Sequence, residues 1–563
     1  MLQAARMTTD VPRRVLLMAS PSTTAKATGG ILSILAAAQF LMTLDTSVMN
    51  VSISEVASDV HTTVSGVQTA ITLFTLVMAS LMITGGKLGA LLGRRRAFML
   101  GMVIYGTGSL VTALAHSLTV LILGWSLLEG IGAALIMPAV VALVAGNFPI
   151  ANRSGAYGLI AAAGATAVAV GPLLGGAVTT FASWRWVFIG EVVIVLIILA
   201  VSHRIGDSPA SGSRRFDGIG AVLSIIGISL VVFGVLRSGE WGWIAHQTGT
   251  TSIFGLSPVV WMLIGGLAVL AAFLAWEARR VEHGDEPLVQ PALLRNTKVV
   301  GGLLMFFFQY LSQAGVFFTI PLFLSVVLEM SALATGLRLL PLSVALLLSA
   351  ILVPRLFPHA SPRRVVRIGL LLMIAATIIL IAGISPTAGA QIVAIPMLLM
   401  GFGIGSLASQ LAAVTVSAVP ESMSEEVGGL QNTAANLGAS LGTALAGAVL
   451  IASLTSGVAQ GISSDPRISA AVKAQASTSL TGQVPFLSDT QLSAALTESG
   501  ISAADAAEIT SVNTTARSDA LDQSLGVIAL LEVVALGFSA MIRRRPLSED
   551  VESATPDAEG GAG

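Results

Sequence analysis

Long apolar runs recur along almost the whole sequence, and they constrain the fold more than any other feature. A helix needs about 20 apolar residues to cross a hydrocarbon core ~30 Å thick, and fourteen runs of roughly 17 to 28 residues meet that length. They lie at about 31–52, 67–89, 97–116, 119–146, 155–181, 186–202, 217–236, 258–277, 299–326, 333–353, 366–384, 390–413, 428–453 and 521–542. The sequence therefore predicts an all-α polytopic membrane protein with 14 transmembrane helices.

The composition agrees with a membrane protein and excludes several kinds of site. Hydrophobic residues make up 54% of the chain and charged residues only 10%, well below the roughly 25% of a soluble domain. The net charge of -1 provides no basic stripe for a nucleic acid. There is no cysteine, and the six histidines are scattered without metal-ligand spacing. We therefore expect no nucleic-acid partner and no metal.

The positive charges are distributed unevenly between alternate loops. With the N-terminus inside, 23 of the 29 Lys and Arg residues fall on the cytoplasmic side. Cytoplasmic loops of membrane proteins carry such an excess of positive charge. The sequence thus predicts a multi-pass protein of the cytoplasmic membrane, in contact with the lipid bilayer, with both termini cytoplasmic.

An internal repeat divides the chain into two halves. A shift of 268 positions places Lys87 on Arg355 and Arg95 on Arg363 without a gap. Parallel repeats of this kind mark transporters that move one bundle against the other around a site at the membrane midplane. The predicted regions are a cytoplasmic N-terminal tail (1–28), a six-helix bundle (29–203), two inserted helices with linkers (204–298), a second six-helix bundle (299–542) and an acidic cytoplasmic tail (543–563).

A long outer segment, 455–520, precedes the last span. It is rich in Ser, Ala and Thr, and the piece SDTQLSAALTESG has the pattern of a short helix, for which Ser488 or Asp489 would be the N-cap. The segment is either a lid or a tolerated insertion.

Three motifs resemble those of a known family. They are LDTSVMNVSI (44–53) in the first span, GGKLGALLGRRRAF (85–98) between spans two and three, and GPLLGG (171–176) in span five. The chain resembles the major facilitator superfamily, and within it the fourteen-span drug:proton antiporters. The matching residues are Gly86, Gly93, Arg94, Arg95 and Arg96 in the inner loop motif, and Gly171, Pro172, Gly175 and Gly176 in the antiporter motif. This resemblance implies two six-helix bundles with two inserted helices.

Physical reasons stand beside the resemblance. The glycines of GPLLGG allow another helix to approach closely, and Pro172 removes a backbone hydrogen bond and permits a kink. The arginines of the inner loop either hold a functional contact or only fix the topology. Trp184 and Trp186, which follow the motif, are expected at the outer membrane interface as anchors.

The sequence departs from the family at two positions. Ala90 stands where the loop motif carries an aspartate, so a latch that depends on that charge is not carried over. Ser126 stands where the fourth span carries an arginine, and Glu129 lies just before Gly130. An acid inside a membrane helix can itself bind a proton from one side and release it to the other.

Four acidic residues lie well inside predicted spans: Asp45, Glu129, Glu191 and, in the last span, Glu532. A charge at the bilayer centre costs about 2.5–3.5 kcal/mol even on the mild insertion scale, so such residues normally face a cavity and mark an ion or substrate pathway. We expect Asp45, Glu129 and Glu191 to couple transport to protons, with Glu532 as a weaker candidate. The alternative is a protonated carboxyl group with a permanent structural hydrogen bond.

Polar side chains on other spans predict a substrate cavity. Gln309 and Gln313 lie one turn apart, as do Asn432 and Asn436. With Asn50 and the aromatic Phe306 they would suit an amphipathic organic ligand. Arg338, inside span ten, either extends toward the outer interface or gates the cavity by pairing with an acid.

The predicted function is proton-coupled antiport that exports amphipathic small molecules and drugs by alternating access. The partners would be the small-molecule substrate and protons; we expect a monomer and no cofactor other than the proton gradient. An uptake symporter could use the same acids, and only the antiporter motif favours export. A membrane-embedded enzyme or a sensor is a further alternative, but the spans show no cluster of catalytic residues and no soluble domain is visible.

Overall fold

The structure is a computed structural model that describes residues 21–542 and 544, except 149, 207–215, 247–250, 358, 386–387, 420–422, 471 and 474–483. Most of both predicted tails lies outside the described residues. Within the described ranges the regular secondary structure is helical, with one isolated β-bridge between Ile253 and Leu256. The all-helical fold class is therefore confirmed.

The helices follow the apolar runs closely. In chain order they are α1 (Pro21–Val51), α2 (Ile53–Asp59), α3 (Val64–Leu92), α4 (Arg94–Ala113), α5 (Leu118–Leu121), a π-helix (Ile122–Glu129), α6 (Gly130–Asn147), α7 (Ile150–Phe181), α8 (Arg185–Val201), α9 (Gly218–Trp241), α10 (Pro258–Glu282), α11 (Pro291–Arg295), α12 (Thr297–Leu322), α13 (Ala332–Leu356), α14 (Pro362–Gly383), α15 (Ala394–Val416), α16 (Ser424–Ser464), α17 (Asp489–Glu498) and α18 (Ala503–Phe538).

Among the described residues, twelve helical segments are long and apolar enough to cross a membrane, or thirteen if the two bent parts of α7 form one span. The α4 helix has 20 residues but is not among them. It begins at three arginines and is rich in glycine and hydroxyl residues, which lowers its mean hydropathy. The exact number of 14 spans therefore stays a prediction.

The spans pack as two groups with the inserted pair between them. In the first half α1 packs on α7, and α4 packs on α6 and α8; in the second half α12 packs on α16, and α15 packs on α13 and α14. The inserted helices α9 and α10 pack on each other, and α9 contacts α3 of the first half and α16 of the second. The inserted pair therefore touches both halves.

The two halves meet through α3 with α16 and α7 with α13, on the predicted outer side. The Gln68 side chain donates to the Thr443 carbonyl oxygen at 3.3 Å, and Ser440 donates to the Thr72 carbonyl oxygen at 3.0 Å. The Leu333 backbone N–H donates to the Thr180 hydroxyl at 3.0 Å. These contacts close the predicted outer side.

A kink in α7 contributes to this closure. The helix bends by 41° between Gly158–Val168 and Val170–Phe181, just before Pro172. Proline has no N–H to donate to the carbonyl four residues earlier, here that of Val168. That carbonyl oxygen accepts a hydrogen bond from the Ser343 hydroxyl of α13 at 3.2 Å. The kink thus gives the two halves a shared hydrogen bond.

The outer segment is more helical than the sequence suggests. The α16 helix continues to Ser464 and α18 begins at Ala503, so much of 455–520 consists of extensions of the two flanking helices. The predicted short helix is α17, and its N-cap is Ser488, which forms a capping box with Gln491. The prediction of a capped helix is confirmed.

Of the two tryptophans predicted as anchors at the membrane interface, the prediction is wrong for Trp184. Trp186 is 58% exposed, as an interface anchor would be, but Trp184 is only 2% exposed. The Trp184 indole N–H donates to Asp59 of α2 at 2.9 Å, and the Arg185 guanidinium lies 4.6 Å from the centre of the Trp184 ring. Trp184 therefore connects the start of α8 to the end of α2 through a hydrogen bond, and it does not face lipid.

Candidate functional site

Close helix packing brings Glu129 next to α4. An added Cβ at Gly108 would lie 2.6 Å from Cγ of Glu129, and one at Gly124 would lie 2.7 Å from the Thr112 backbone nitrogen. Only glycine permits so close an approach. Glu129 is the last residue of the π-helix, an element that is often found at functional sites. Ser126, in the same π-helix, donates its hydroxyl to the Ala70 carbonyl oxygen of α3 at 2.7 Å.

Three of the predicted acids form one buried cluster, which we call the carboxylate trio: Asp45, Glu129 and Glu191. Each offers a carboxylate oxygen, and these oxygens all lie within 4.8 Å of one another. Glu129 Oε1 accepts from the Thr112 hydroxyl at 3.0 Å, and Glu191 Oε2 accepts from the Ser109 hydroxyl at 2.9 Å. All three acids are at most 1% exposed. The sequence identified each acid but did not indicate that they meet.

The trio lacks a neighbouring cation among the described residues. The buried oxygens Glu129 Oε2 and Glu191 Oε1 have no hydrogen-bond partner. Three ionised carboxylates packed this closely would repel one another strongly in a medium of low dielectric constant. The arrangement can therefore hold a proton, and the spacing of its oxygens would also suit a cation. The prediction of no metal stays a prediction.

Trp125 connects the trio to an internal cavity. Its indole N–H donates to both carboxylate oxygens of Asp45, at 2.9 and 3.0 Å. The indole stacks on the ring of Phe74 with the ring centres 4.9 Å apart, and both rings contribute to the cavity wall. The sequence analysis did not single out Trp125, because an apolar span gives no indication of which tryptophan reaches an acid.

The cavity lies between the two halves and has a volume of about 200 Å³. Four of the residues predicted to line it do so: Asn50, Gln313, Asn432 and Asn436. Tyr310 and Phe317 of α12 also line it. None of the described residues on its wall carries a charge. The wall is thus a mixture of aromatic rings, amides and hydroxyls, which suits an amphipathic ligand.

Other predicted residues lie elsewhere. Gln309 is buried and is not on the cavity wall, and neither is the half-buried Phe306, which packs against the hydrophobic core. Glu532 lies in the second half, where it accepts from the Thr377 hydroxyl at 3.0 Å, and its Oε1 has no partner. Arg338 is half-buried on α13 and forms no ion pair with any described acid.

The inner loop motif forms a tight turn between α3 and α4. Gly93 has a φ of 95°, a backbone conformation that favours glycine. Arg94 donates to the Ala142 carbonyl oxygen near the inner end of α6 at 3.0 Å. Gly86 lines a second cavity of about 390 Å³ on this side, Arg95 is half-buried and Arg96 is exposed. Arg94 thus connects the start of α4 to α6 on the predicted inner side.

The linker after α10 crosses the second cavity. Glu286 pairs with Lys87 of the first half at 3.3 Å, and the Gln290 backbone N–H donates to Glu426 of α16 at 2.6 Å. Asn432 lines both cavities. The central cavity therefore adjoins a wider space on the predicted inner side, whereas the outer side is closed.

The antiporter motif lies at the closed outer contact. A Cβ at Gly175 would lie 2.7 Å from Val48 of α1, and one at Gly176 would lie 2.5 Å from the Ala332 carbonyl oxygen of α13. Gly171 packs against Ser47 of α1. The small residues thus let α7 approach helices of both halves.

Comparisons with known proteins agree with this architecture. The chain is 32% identical over 337 residues to the cephamycin export protein of Amycolatopsis lactamdurans, which is 59% of this chain and 66% of that protein. It is 30% identical over 358 residues to the puromycin resistance protein of Streptomyces alboniger, 63% of this chain and 68% of that one. The matches thus span about two thirds of these relatives.

A solved structure shows the same fold. It is a bacterial homologue of the human lysosomal transporter Spinster in an inward-facing, unoccupied conformation, with a TM-score of 0.59 and 13% sequence identity, covering 92% of this chain and 98% of that one. The family model described as Major Facilitator Superfamily matches residues 35–218 and 210–443. The chain is therefore a multi-pass membrane transporter, not an enzyme, and it belongs to the Major Facilitator Superfamily.

Proposed function

We propose that this chain is a proton-coupled antiporter that exports amphipathic small molecules across the cytoplasmic membrane by alternating access. The observation that carries the proposal is the carboxylate trio, buried beside an uncharged cavity at the contact of the two halves. Buried acids in a membrane protein are tolerated where they serve an ion pathway. The chain acts as a monomer in this proposal, with both termini in the cytoplasm.

Protons supply the driving force in this proposal. The trio takes up protons when it is accessible from the outside and loses them when it is accessible from the cytoplasm. One positive charge moving inward through 100 mV releases about 2.3 kcal/mol, which is enough to favour export when one or two protons move per cycle. Glu129 and Glu191 each have one buried oxygen without a hydrogen-bond partner. An ionised carboxylate can only accept hydrogen bonds, whereas a protonated carboxyl group also donates one. These free oxygens are therefore available to carry a proton, which supports the proposed role.

The proposed direction of transport, export, is inferred from the names of the relatives. Their names describe export of cephamycin and resistance to puromycin, and another relative is described as a lincomycin resistance protein of Streptomyces lincolnensis. Uptake by symport with protons is the second candidate, because the same acids could serve it. The names of the relatives and the antiporter motif favour export.

Transport by purified protein in liposomes with an imposed pH gradient tests the proposal. Puromycin, lincomycin and a cephamycin are added in turn, and the lumenal pH and the cargo are followed together. An antiporter moves protons and cargo in opposite directions, whereas a symporter moves them in the same direction. We expect opposite movement for at least one compound.

The Glu129→Gln variant tests the role of the trio. It keeps the size of the side chain and removes its titration, so we expect cargo-driven proton movement to fall by about tenfold or more, as for the loss of an essential proton carrier. Glu498→Gln, at the exposed end of α17, is the control and should behave as wild type. Normal coupling in Glu129→Gln would transfer the role to Asp45, and proton-independent export would refute the proposal.

A further inference from the structure

We propose that Trp125 is the positioning residue through which the protonation state of Asp45 sets the shape of the cargo cavity. The inference rests on the proposed function and names the physical link between the two parts of the site. The link is needed because cargo and protons occupy different places: the trio is buried behind the cavity wall, and the wall itself is uncharged in the described structure.

The separation excludes one simple form of coupling. A cationic cargo that replaced a proton directly would have to form an ion pair with a carboxylate on the wall. None of the three acids is on the wall, and all are almost completely buried. Competition between cargo and protons must therefore pass through a group that touches both.

Trp125 touches both. One edge of its indole donates the N–H to the two oxygens of Asp45, and its ring forms part of the wall together with Phe74. An N–H that donates to an ionised carboxylate forms a stronger bond than one that donates to a neutral acid. The ionised form of Asp45 therefore holds the indole, and with it the stacked Phe74 ring, in the position seen here.

Protonation of Asp45 removes that restraint. The neutral acid accepts a hydrogen bond more weakly than the carboxylate does, and one of its two oxygens then carries the proton. The indole then loses its fixed orientation and the wall loses its shape. By linkage, a cargo that binds best to the ordered wall must favour loss of the proton from Asp45, which is the exchange that antiport requires.

Three titratable groups face Asp45 and take part in the same equilibrium. They are Tyr105 from α4, Glu129 from the π-helix and Glu191 from α8. In the described parts of α7, α12 and α13, which also pack on α1, no side chain forms an ion pair or a side-chain hydrogen bond with Asp45. Trp125 is thus the connection from Asp45 to the cavity wall.

Tryptophan fluorescence tests the link without any cargo. The contribution of Trp125 is the difference between the wild-type protein and the Trp125→Phe variant, measured in lipid nanodiscs between about pH 5 and about pH 9. We expect this contribution to change with pH in the wild type and to be constant in an Asp45→Asn background. A constant Trp125 signal, or the same pH-dependent change in Asp45→Asn, would overturn the inference.

A second measurement removes only the hydrogen bond. Trp125 is replaced by benzothienylalanine, an isostere in which sulfur takes the place of the N–H, so the ring and its packing remain. We expect the pH dependence of puromycin affinity, up to about tenfold per pH unit for one coupled proton, to become flat. Affinity at alkaline pH should fall toward the wild-type value at acidic pH, because the ring remains but has lost the N–H through which ionised Asp45 orders the wall.

The chain contains a matched control. Trp276 of α10 donates its N–H to both oxygens of Asp217, at 3.1 and 3.0 Å, in the same geometry but in the inserted pair. The same isostere at Trp276 should leave the pH dependence of puromycin affinity unchanged. Equal effects at both positions would show a general structural role and overturn the inference.

If puromycin does not bind, the choice of cargo in the proposed function fails, while the fluorescence titration still decides the role of Trp125.

Discussion

Gly108 determines how closely α4 approaches the backbone and side chain of Glu129. A Cβ at this position would lie 2.7 Å from the Glu129 backbone nitrogen and 2.8 Å from the Gly124 carbonyl oxygen. Backbone atoms cannot move aside as the end of a flexible side chain can. The hydrogen bond from Thr112 to Glu129 depends on this approach.

A Gly108→Ala variant should therefore lose stability and coupling together. We expect the free energy of unfolding to fall by about 1–3 kcal/mol, as for other overpacked cores, with cargo-driven proton movement reduced. Gly265→Ala on α10, where nothing lies within 4 Å of an added Cβ, should be neutral or slightly stabilising. Thermal unfolding in detergent measures the difference, and equal melting temperatures in both variants would contradict it.

The sequence identified the acids of the site one by one but not their arrangement. Glu129 stands out because it interrupts an apolar run, and Asp45 because of its motif. Their meeting with Glu191 depends on the π-helix and on the close approach of α4, which hydrophobic periodicity does not report. Trp125 was missed for the same reason.

Among the elements, the spans were predicted better than the helices that continue outside the membrane. The seventh predicted span, near 217–236, corresponds to α9, which runs over Gly218–Trp241. In contrast, α16 extends well beyond the predicted 453, and α18 begins 18 positions before the predicted 521. These extensions are polar, and close packing such as that of Gly457 against Ala516 stabilises them, so a hydropathy pattern cannot find them.

The α17 helix docks on the loop after α12 through Glu329, and this contact should depend on pH. The Glu329 carboxylate accepts from the Thr490 backbone N–H at 3.1 Å and from its hydroxyl at 2.9 Å. The backbone hydrogen bond, followed by those of the side chains, lowers the pKa of Glu329 below its ordinary value of 4.5. The ionised form is the docked one, so the contact is fully present above pH 4.5 and is lost as the pH falls through the lowered pKa.

A spin label at Ser493→Cys on α17 would report this docking. We expect its mobility to increase as the pH falls below 4.5, the ordinary value for glutamate. In Glu329→Ala the label should already be more mobile at neutral pH, with a smaller change on acidification. Glu498→Ala, at the far end of the same helix, is the control and should retain the wild-type curve. Identical curves in Glu329→Ala and wild type would show that the contact does not hold α17.

For the whole molecule, the balance between the two open states depends on the contact of α7 with α13. Gly336 of α13 lies directly against the Pro172 backbone carbonyl of α7, so any side chain at this position would separate the two helices. The contact is on the predicted outer side, and the wider cavity is on the other side. The structure is therefore closed on the predicted outer side and more open on the predicted inner side.

A Gly336→Val substitution should shift the population toward the outward-open state. A clash of about 1.4 kcal/mol changes the ratio of the two states by about tenfold. The chain has no cysteine, so a single Gln313→Cys in the cavity reports access from outside through labelling with a membrane-impermeant maleimide. We expect about tenfold faster labelling with Gly336→Val. The lipid-exposed Leu337→Val should not change the rate, and an unchanged rate in Gly336→Val would rule out this role of the contact.

The carbonyl group of Val168, freed by Pro172, has its donor on the opposite half of the molecule. When the outer ends of α7 and α13 separate, the Ser343 hydroxyl moves away with its own helix, and a buried carbonyl group without a hydrogen-bond partner is costly. Val168 borders the central cavity, so water that enters as the pathway opens can take the place of this donor. Hydration of one peptide group is thus tied to each outward opening, and a dry opening of this transporter is energetically penalised.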